Sequence, residues 1–291
     1  MSRIDISHVS YCYRDNNEVF LALEDIDLHI SDGEFVCLVG HSGCGKSTLL
    51  SLLAGLATPD AGSVEVDGAR VTGPSTSRAM VFQHYSLFPW MKVAANVAFS
   101  IRHVGAEGRR LSKGEANDRA LKYLAEVGMA DAADKFPFQL SGGMQQRVAI
   151  ARALAMESDI LLLDEPFGAL DARNRQELQE LLLSLWHNAE QRRTVVFVTH
   201  DLSEALLLAD RIVFMVPKHI ERVVDVDFPR PRNLEELSFN PRFRAMRAEL
   251  MELFYLDDRA EDDAESYPTR KDASDDDAQG ILHYGDVQGG A

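Results

Sequence analysis

Phe35-Val-Cys-Leu-Val39 runs straight into Gly40-His41-Ser42-Gly43-Cys44-Gly45-Lys46-Ser47-Thr48, and Leu49 to Leu56 then repeats leucine in a helical pattern. Five consecutive apolar residues are the mark of a strand covered on both faces, and the glycines after them mark a tight loop. Strand, G-x-x-x-x-G-K-[ST] loop and helix in that order build a phosphate cradle. Backbone N–H groups curl round phosphate oxygens while the helix directs its positive end at them. Residues Gly40 to Thr48 are therefore the expected phosphate-contacting loop. Lys46 would neutralise the β and γ phosphates, and the Ser47 hydroxyl would face Mg²⁺. Such a loop alone fits kinases, GTPases and motor ATPases alike.

Working outward, further strands are expected at Ser63 to Val66, Ala79 to Phe82, Ile160 to Leu163, Val195 to Thr199 and Arg211 to Val216. Ile160 to Leu163 and Val195 to Val198 are continuously apolar, as central strands of a parallel sheet should be. Between about 85 and 156 the β pattern gives way to helical periodicity in Val93 to His103, Lys113 to Val127 and Gly142 to Met156. The chain is thus expected to be α/β, with a parallel sheet and an inserted all-helical subdomain.

The 291 residues carry a net charge of −16, and 46% of them are apolar, so the composition is that of a globular protein with a buried core. That charge opposes non-specific attraction to DNA or RNA, and no nucleic-acid partner is expected. Residues 257–291 hold 11 acidic and 3 basic side chains, half of the net charge. This segment is too poor in large apolar residues to offset the entropy of ordering and is expected to be an acidic, disordered tail. Cys12, Cys37 and Cys44 form no CxxC pair, which argues against a disulfide framework or a zinc site. The apolar runs fall short of the ~18 to 20 residues of a membrane-spanning helix, and the N-terminus lacks the pattern of a secretory signal, so a cytosolic chain is expected.

Two further motifs carry chemistry. Ile160-Leu-Leu-Leu163-Asp164-Glu165 is a buried strand ending in adjacent acids. Asp164 can reach the Mg²⁺ shell, and Glu165, pointing the other way, can accept a proton from an attacking water. Leu140-Ser141-Gly142-Gly143-Met144-Gln145-Gln146-Arg147 opens a helix with Ser141 as its N-cap, a second anion-binding helix end in a chain with one phosphate loop. Cys44 lies in positive surroundings that favour a thiolate, so its alkylation is expected to block binding of the phosphate-bearing ligand.

Leu140 to Arg147 resembles the signature of ATP-binding-cassette ATPases, and the other elements of that family fall in order. Tyr13 resembles the aromatic residue that stacks on adenine, with Tyr11 able to take that role in a different strand register. Gln83 resembles the Q-loop glutamine, Ala169-Leu170-Asp171 the D-loop, and His200 the switch histidine. The resemblance implies a P-loop NTPase (RecA-like) core with an N-terminal antiparallel β region. It implies an ATPase domain over 1–225, a C-terminal helical extension over 226–256 and the tail over 257–291.

The same resemblance implies ATP and Mg²⁺ as cofactors, with Ser47, Gln83 and Asp164 around the metal and Glu165, His200 and Gln83 as catalytic residues. It implies a head-to-tail homodimer or paired cassette, in which Ser141, Gly142, Gly143 and Asp171 of one subunit meet the ATP of the other. With no membrane domain in the chain, integral membrane permease subunits are the implied partners, and a solute-binding protein indirectly, at the cytoplasmic face of the membrane. Gln83 to Phe99, including Phe88-Pro89-Trp90, resembles importers of the nitrate, sulfonate and taurine group. The exposed Phe88 to Met91 patch would receive the permease. A soluble regulatory ATPase and an exporter subunit are the alternative readings.

Overall fold

A computed structural model of the chain describes residues 2–15, 18–104, 111–168, 170–187 and 192–265, with side chains as far as 254. Its centre is a six-stranded sheet of β6 (Arg78–Val81), β7 (Ile160–Asp164), β8 (Thr194–Thr199), β3 (Phe35–Val39), β9 (Arg211–Val216) and β10 (His219–Asp225), in that spatial order. All neighbours are parallel except β9 and β10, which form an antiparallel hairpin. A second sheet, antiparallel throughout, places β2 (Glu18–Ile30), β1 (Ile4–Asp15), β4 (Ala61–Val66) and β5 (Ala69–Arg70) side by side.

Strand alternation explains how one apolar run serves two cores. Phe35, Cys37 and Val39 of β3, Leu161 and Leu163 of β7, and Val195 and Phe197 of β8 point into a core shared with the helices. Val36 and Leu38, Ile160 and Leu162, and Val196 and Val198 point the other way, into a core shared with the antiparallel sheet and α1 (Lys46–Ala54). Successive side chains on a strand face opposite sides, so a strand buried on both faces must be apolar at every position.

Between β6 and β7 lie α2 (Val93–Val104), α3 (Lys113–Glu126) and α4 (Gly142–Leu154), and no strand occurs there among the described residues. Ser112 and Glu115 close a capping box on α3, and the Ser141 hydroxyl accepts from the Met144 N–H to start α4, as its sequence demanded. The chain continues with α5 (Ala172–His187), α6 (Leu202–Leu208), α7 (Leu234–Ser238) and α8 (Pro241–Glu265). Phe243 and Leu250 of α8 are buried in the helical core. One boundary differs from expectation: α8 runs on through 257, where the tail was to begin, as far as Glu265. The stretch from 257 to 265 contains neither glycine nor proline, so a helix docked upstream can run on through it. Residues 266–291, including Ile281 to Tyr284, lie outside the described residues.

No described helix is long and apolar enough to cross a membrane.

Candidate active site

The phosphate loop hangs between β3 and α1. Gly40 is required by close approach: a Cβ there would lie 2.1 Å from the Met215 carbonyl oxygen of β9. Lys46 is 4% exposed, and its Nζ donates to the carbonyls of Gly40 at 2.8 Å and His41 at 2.6 Å, fixing the loop's curl. Ser42 and Gly43 form the exposed tip, while Cys44 turns inward with its Sγ 3.6 Å from that ammonium. At 1% exposure the Cys44 thiol is buried, so the positive surroundings favour the thiolate while access opposes its alkylation.

At the C-terminal ends of β7, β6 and β8 the acidic, amide and imidazole groups converge. The Ser47 Oγ donates to Asp164 Oδ1 at 2.9 Å, bringing a hydroxyl and a carboxylate oxygen together at the mouth of the loop. Burial pushes the Asp164 carboxyl above its ordinary value, the Glu165 charge adds to this, and the Ser47 hydrogen bond opposes it. A cation beside it would reverse that shift. Hard oxygen donors of this kind suit Mg²⁺, and the residues present fit that ion.

Glu165 takes a left-handed backbone (φ +42°), which costs a non-glycine residue about 1–2 kcal/mol and turns its side chain away from that of Asp164. Its Oε2 accepts from Gln83 Nε2 at 3.3 Å and stands 3.4 Å from His200 Nδ1. Three residues far apart in sequence are thus joined around one carboxylate. A carboxylate so placed can accept a proton, and an amide and an imidazole beside it can orient a small polar group.

Tyr13 stands 48% exposed with its OH 3.0 Å from Thr48 Oγ1, over the start of α1. Tyr11 is half-buried and meets the Tyr13 ring edge-on at 5.1 Å, so Tyr13 is the one turned outward beside the loop. Sequence reasoning missed Phe20, which pairs with Tyr13 across the β1–β2 ladder and is 62% exposed. Cross-strand partners share a face, and a strand assignment of β2 would have revealed it.

Ser141, Gly142 and Gly143 make no hydrogen bond to residues 40–48 among the described residues. Gly142 faces the Tyr85 hydroxyl and Gly143 faces Asn174. Asp171, whose neighbour 169 lies outside the described residues, accepts from the backbone and side chain of Asn174, which hold its carboxyl below the usual range. The structure therefore unites Tyr13, Gly40 to Thr48, Gln83, Asp164, Glu165 and His200 in one region, and sets the signature and Asp171 beside each other in another.

A model of the family described as ABC transporter matches residues 23–168. The nitrate import ATP-binding protein NrtD of Synechococcus elongatus is 46% identical over 81% of this chain and 85% of its own length. The chain belongs to the ABC transporter family. Another member, the bicarbonate transport ATP-binding protein CmpD of Synechocystis sp., is 43% identical over 87% of this chain and 89% of its own. Among solved structures, a dimer of the ATP-binding cassette MJ0796 in a post-hydrolysis state with ADP and Pi superposes with a TM-score of 0.69 at 34% identity, covering 78% of this chain and all of that one. As a cassette of this family, the chain is an ATP-binding protein and an ATPase.

Proposed function

We propose that this cassette ATPase is the energising subunit of an importer for a small anion of the nitrate or bicarbonate kind, working at the cytoplasmic face of a membrane. The convergence of Gln83 and His200 on the Glu165 carboxylate carries the catalytic part of this reading. The nitrate import and bicarbonate transport relatives support the anion.

Lys46 and the loop amides hold the phosphates, and Tyr13 with Phe20 stacks on the adenine. Ser47, Asp164 and Gln83 would hold a Mg²⁺ ion, which would neutralise charge on the phosphates. Glu165 takes a proton from the attacking water; the new bond forms to the γ-phosphorus as the bond to the β-phosphate oxygen breaks, releasing ADP and phosphate. His200 and Gln83 position the water and the γ-phosphate.

The separation of the signature from the phosphate loop within one chain supports a head-to-tail dimer, in which Ser141 and Gly143 close over ATP held by the partner. Permease subunits dock on the loop at Phe88 to Met91. Asn96 holds that loop: fully buried, it accepts from the Phe88 N–H at 2.8 Å and donates to the Phe88, Met91 and Lys92 carbonyls. Trp90, 70% exposed, stands out from it. A solute-binding protein delivers the anion from outside.

The test is ATP-driven uptake by vesicles carrying the chain with its permease and binding protein. Labelled nitrate or bicarbonate should accumulate with Mg-ATP inside and not with a non-hydrolysable analogue. Copurification without any membrane subunit would favour a regulatory ATPase, and ATP-driven efflux would favour an exporter.

A further inference from the structure

Arg152 lies in the last turn of α4, the helix that Ser141 caps at its other end. Among the described residues its guanidinium has no carboxylate partner. Nη1 donates to the Ser86 carbonyl at 2.7 Å and Nη2 to the Tyr85 carbonyl at 3.3 Å, and the group lies 5.8 Å from the centre of the Phe88 ring. Burial alone lowers its pKa from the ordinary value. A partly buried cation paired only with neutral carbonyls is costly to place, so its contacts select one geometry.

The carbonyls it holds belong to strained residues. Tyr85 and Ser86 both have left-handed backbones, φ +54° and +48°, in a sequence without glycine there. Only His84 separates them from Gln83. At the opposite end of α4, a Cβ on Gly142 would lie 3.1 Å from the Tyr85 hydroxyl. The segment leaving Gln83 is thus fastened to the helix at its last turn and packed on it at its first. Phe88, under the guanidinium, also meets Trp90 at 5.6 Å.

We propose that Arg152 is a positioning residue that latches the signature helix to the segment following Gln83, so that movement of Gln83 or of the Phe88–Trp90 patch carries Ser141 with it. The consequence for dimer closure rests on the reading that Ser141 and Gly143 cover the partner's ATP.

Two measurements on the full-length chain test this, both in a Glu165→Gln background with Mg-ATP. In Arg152→Met, nucleotide affinity at low protein concentration should stay within about twofold of the parent, while the dimer dissociation constant should rise about tenfold, a common size for coupling between sites. Arg152→Lys, which keeps the charge but loses the planar fork, should fall between. Hydrogen exchange, run at a protein concentration below the parent's dimer dissociation constant, then reads the latch without a dimer: ATP should alter protection of the amides of residues 142–146 in the parent, and not in Arg152→Met, with protection of 40–48 retained in both.

A variant that only melts earlier, with dimerisation and exchange like the parent's, overturns the latch. A parent that stays monomeric with ATP overturns the head-to-tail reading, and the exchange result then decides the latch alone. Should Arg152→Met fail to fold, Arg152→Lys carries both measurements: weaker dimerisation and a smaller exchange response support the latch, and parental values overturn it.

Discussion

Gln83 Nε2 stands 3.3 Å from Glu165 Oε2, an amide from the end of one parallel strand reaching the carboxylate at the end of its neighbour. The same oxygen is 3.4 Å from His200 Nδ1, at the end of the next strand over. Three adjacent strand ends therefore focus on one oxygen atom, and the sheet sets their spacing.

Glu165→Gln keeps the size of the side chain and removes its basicity. Phosphate release should fall by about 10²- to 10⁴-fold, the range of general-base catalysis, while ATP binding persists. A variant that still hydrolyses at a tenth of the parental rate would remove Glu165 as the base.

Ser47→Ala deletes the hydroxyl and Asp164→Asn neutralises the carboxylate of a pair whose oxygens lie 2.9 Å apart. Both variants should need more Mg²⁺ for half-maximal activity, and chelation should abolish hydrolysis in the parent. An unchanged Mg²⁺ titration in both would show that the ion is held elsewhere.

Tyr13→Ala should weaken ATP binding by about 5- to 100-fold, on the scale of ~1–3 kcal/mol for losing an aromatic stack. Tyr11→Ala, which removes a half-buried ring, should cost less affinity. Titration with a fluorescent nucleotide ranks the two, and the reverse order would transfer the stacking role to Tyr11.

Trp90→Ala should leave ATPase activity of the isolated chain unchanged and uncouple it from uptake in vesicles, because the ring is exposed and its loop is held by Asn96 rather than by Trp90 itself. Wild-type uptake would exclude Trp90 as a docking contact.

Stability has its own pH signature at Glu204. Burial pushes this carboxyl above its ordinary value of 4.5, against the hydrogen bonds of Thr199 and Gln179. The folded chain binds the proton more tightly than the unfolded one, so Glu204 costs stability as pH rises from its unfolded value through its folded one. Glu204→Gln should melt above the parent at pH 8, with the gap narrowing towards about pH 5. Equal gaps at both pH values would remove Glu204 as the cause.

Much of this was legible because the decisive segments obey simple rules. β3 is apolar at every position and β7 and β8 are apolar in unbroken runs from 160 to 163 and 195 to 198, and Ser141 caps a helix where a capping residue precedes a helical pattern. β10 escaped notice because His219-Ile-Glu-Arg-Val-Val-Asp225 is an edge strand with mostly exposed side chains and a register shift after Ile220, so no clean alternation survives. Gathering Gln83, Glu165 and His200 required the family pattern, since nothing local links residues so far apart. Arg152 and Asn96 were invisible for a different reason. Their partners are backbone carbonyls, which every residue offers, so no pairing of side-chain types along the chain betrays them.

The Phe254 ring of α8 rests edge-on against the His41 ring of the phosphate loop at 4.7 Å and against Phe214 at 5.0 Å. An environment-sensitive amino acid placed at 254 would therefore serve as a built-in optical gauge of nucleotide occupancy. It would be read from α8, without labelling any residue that touches the phosphates.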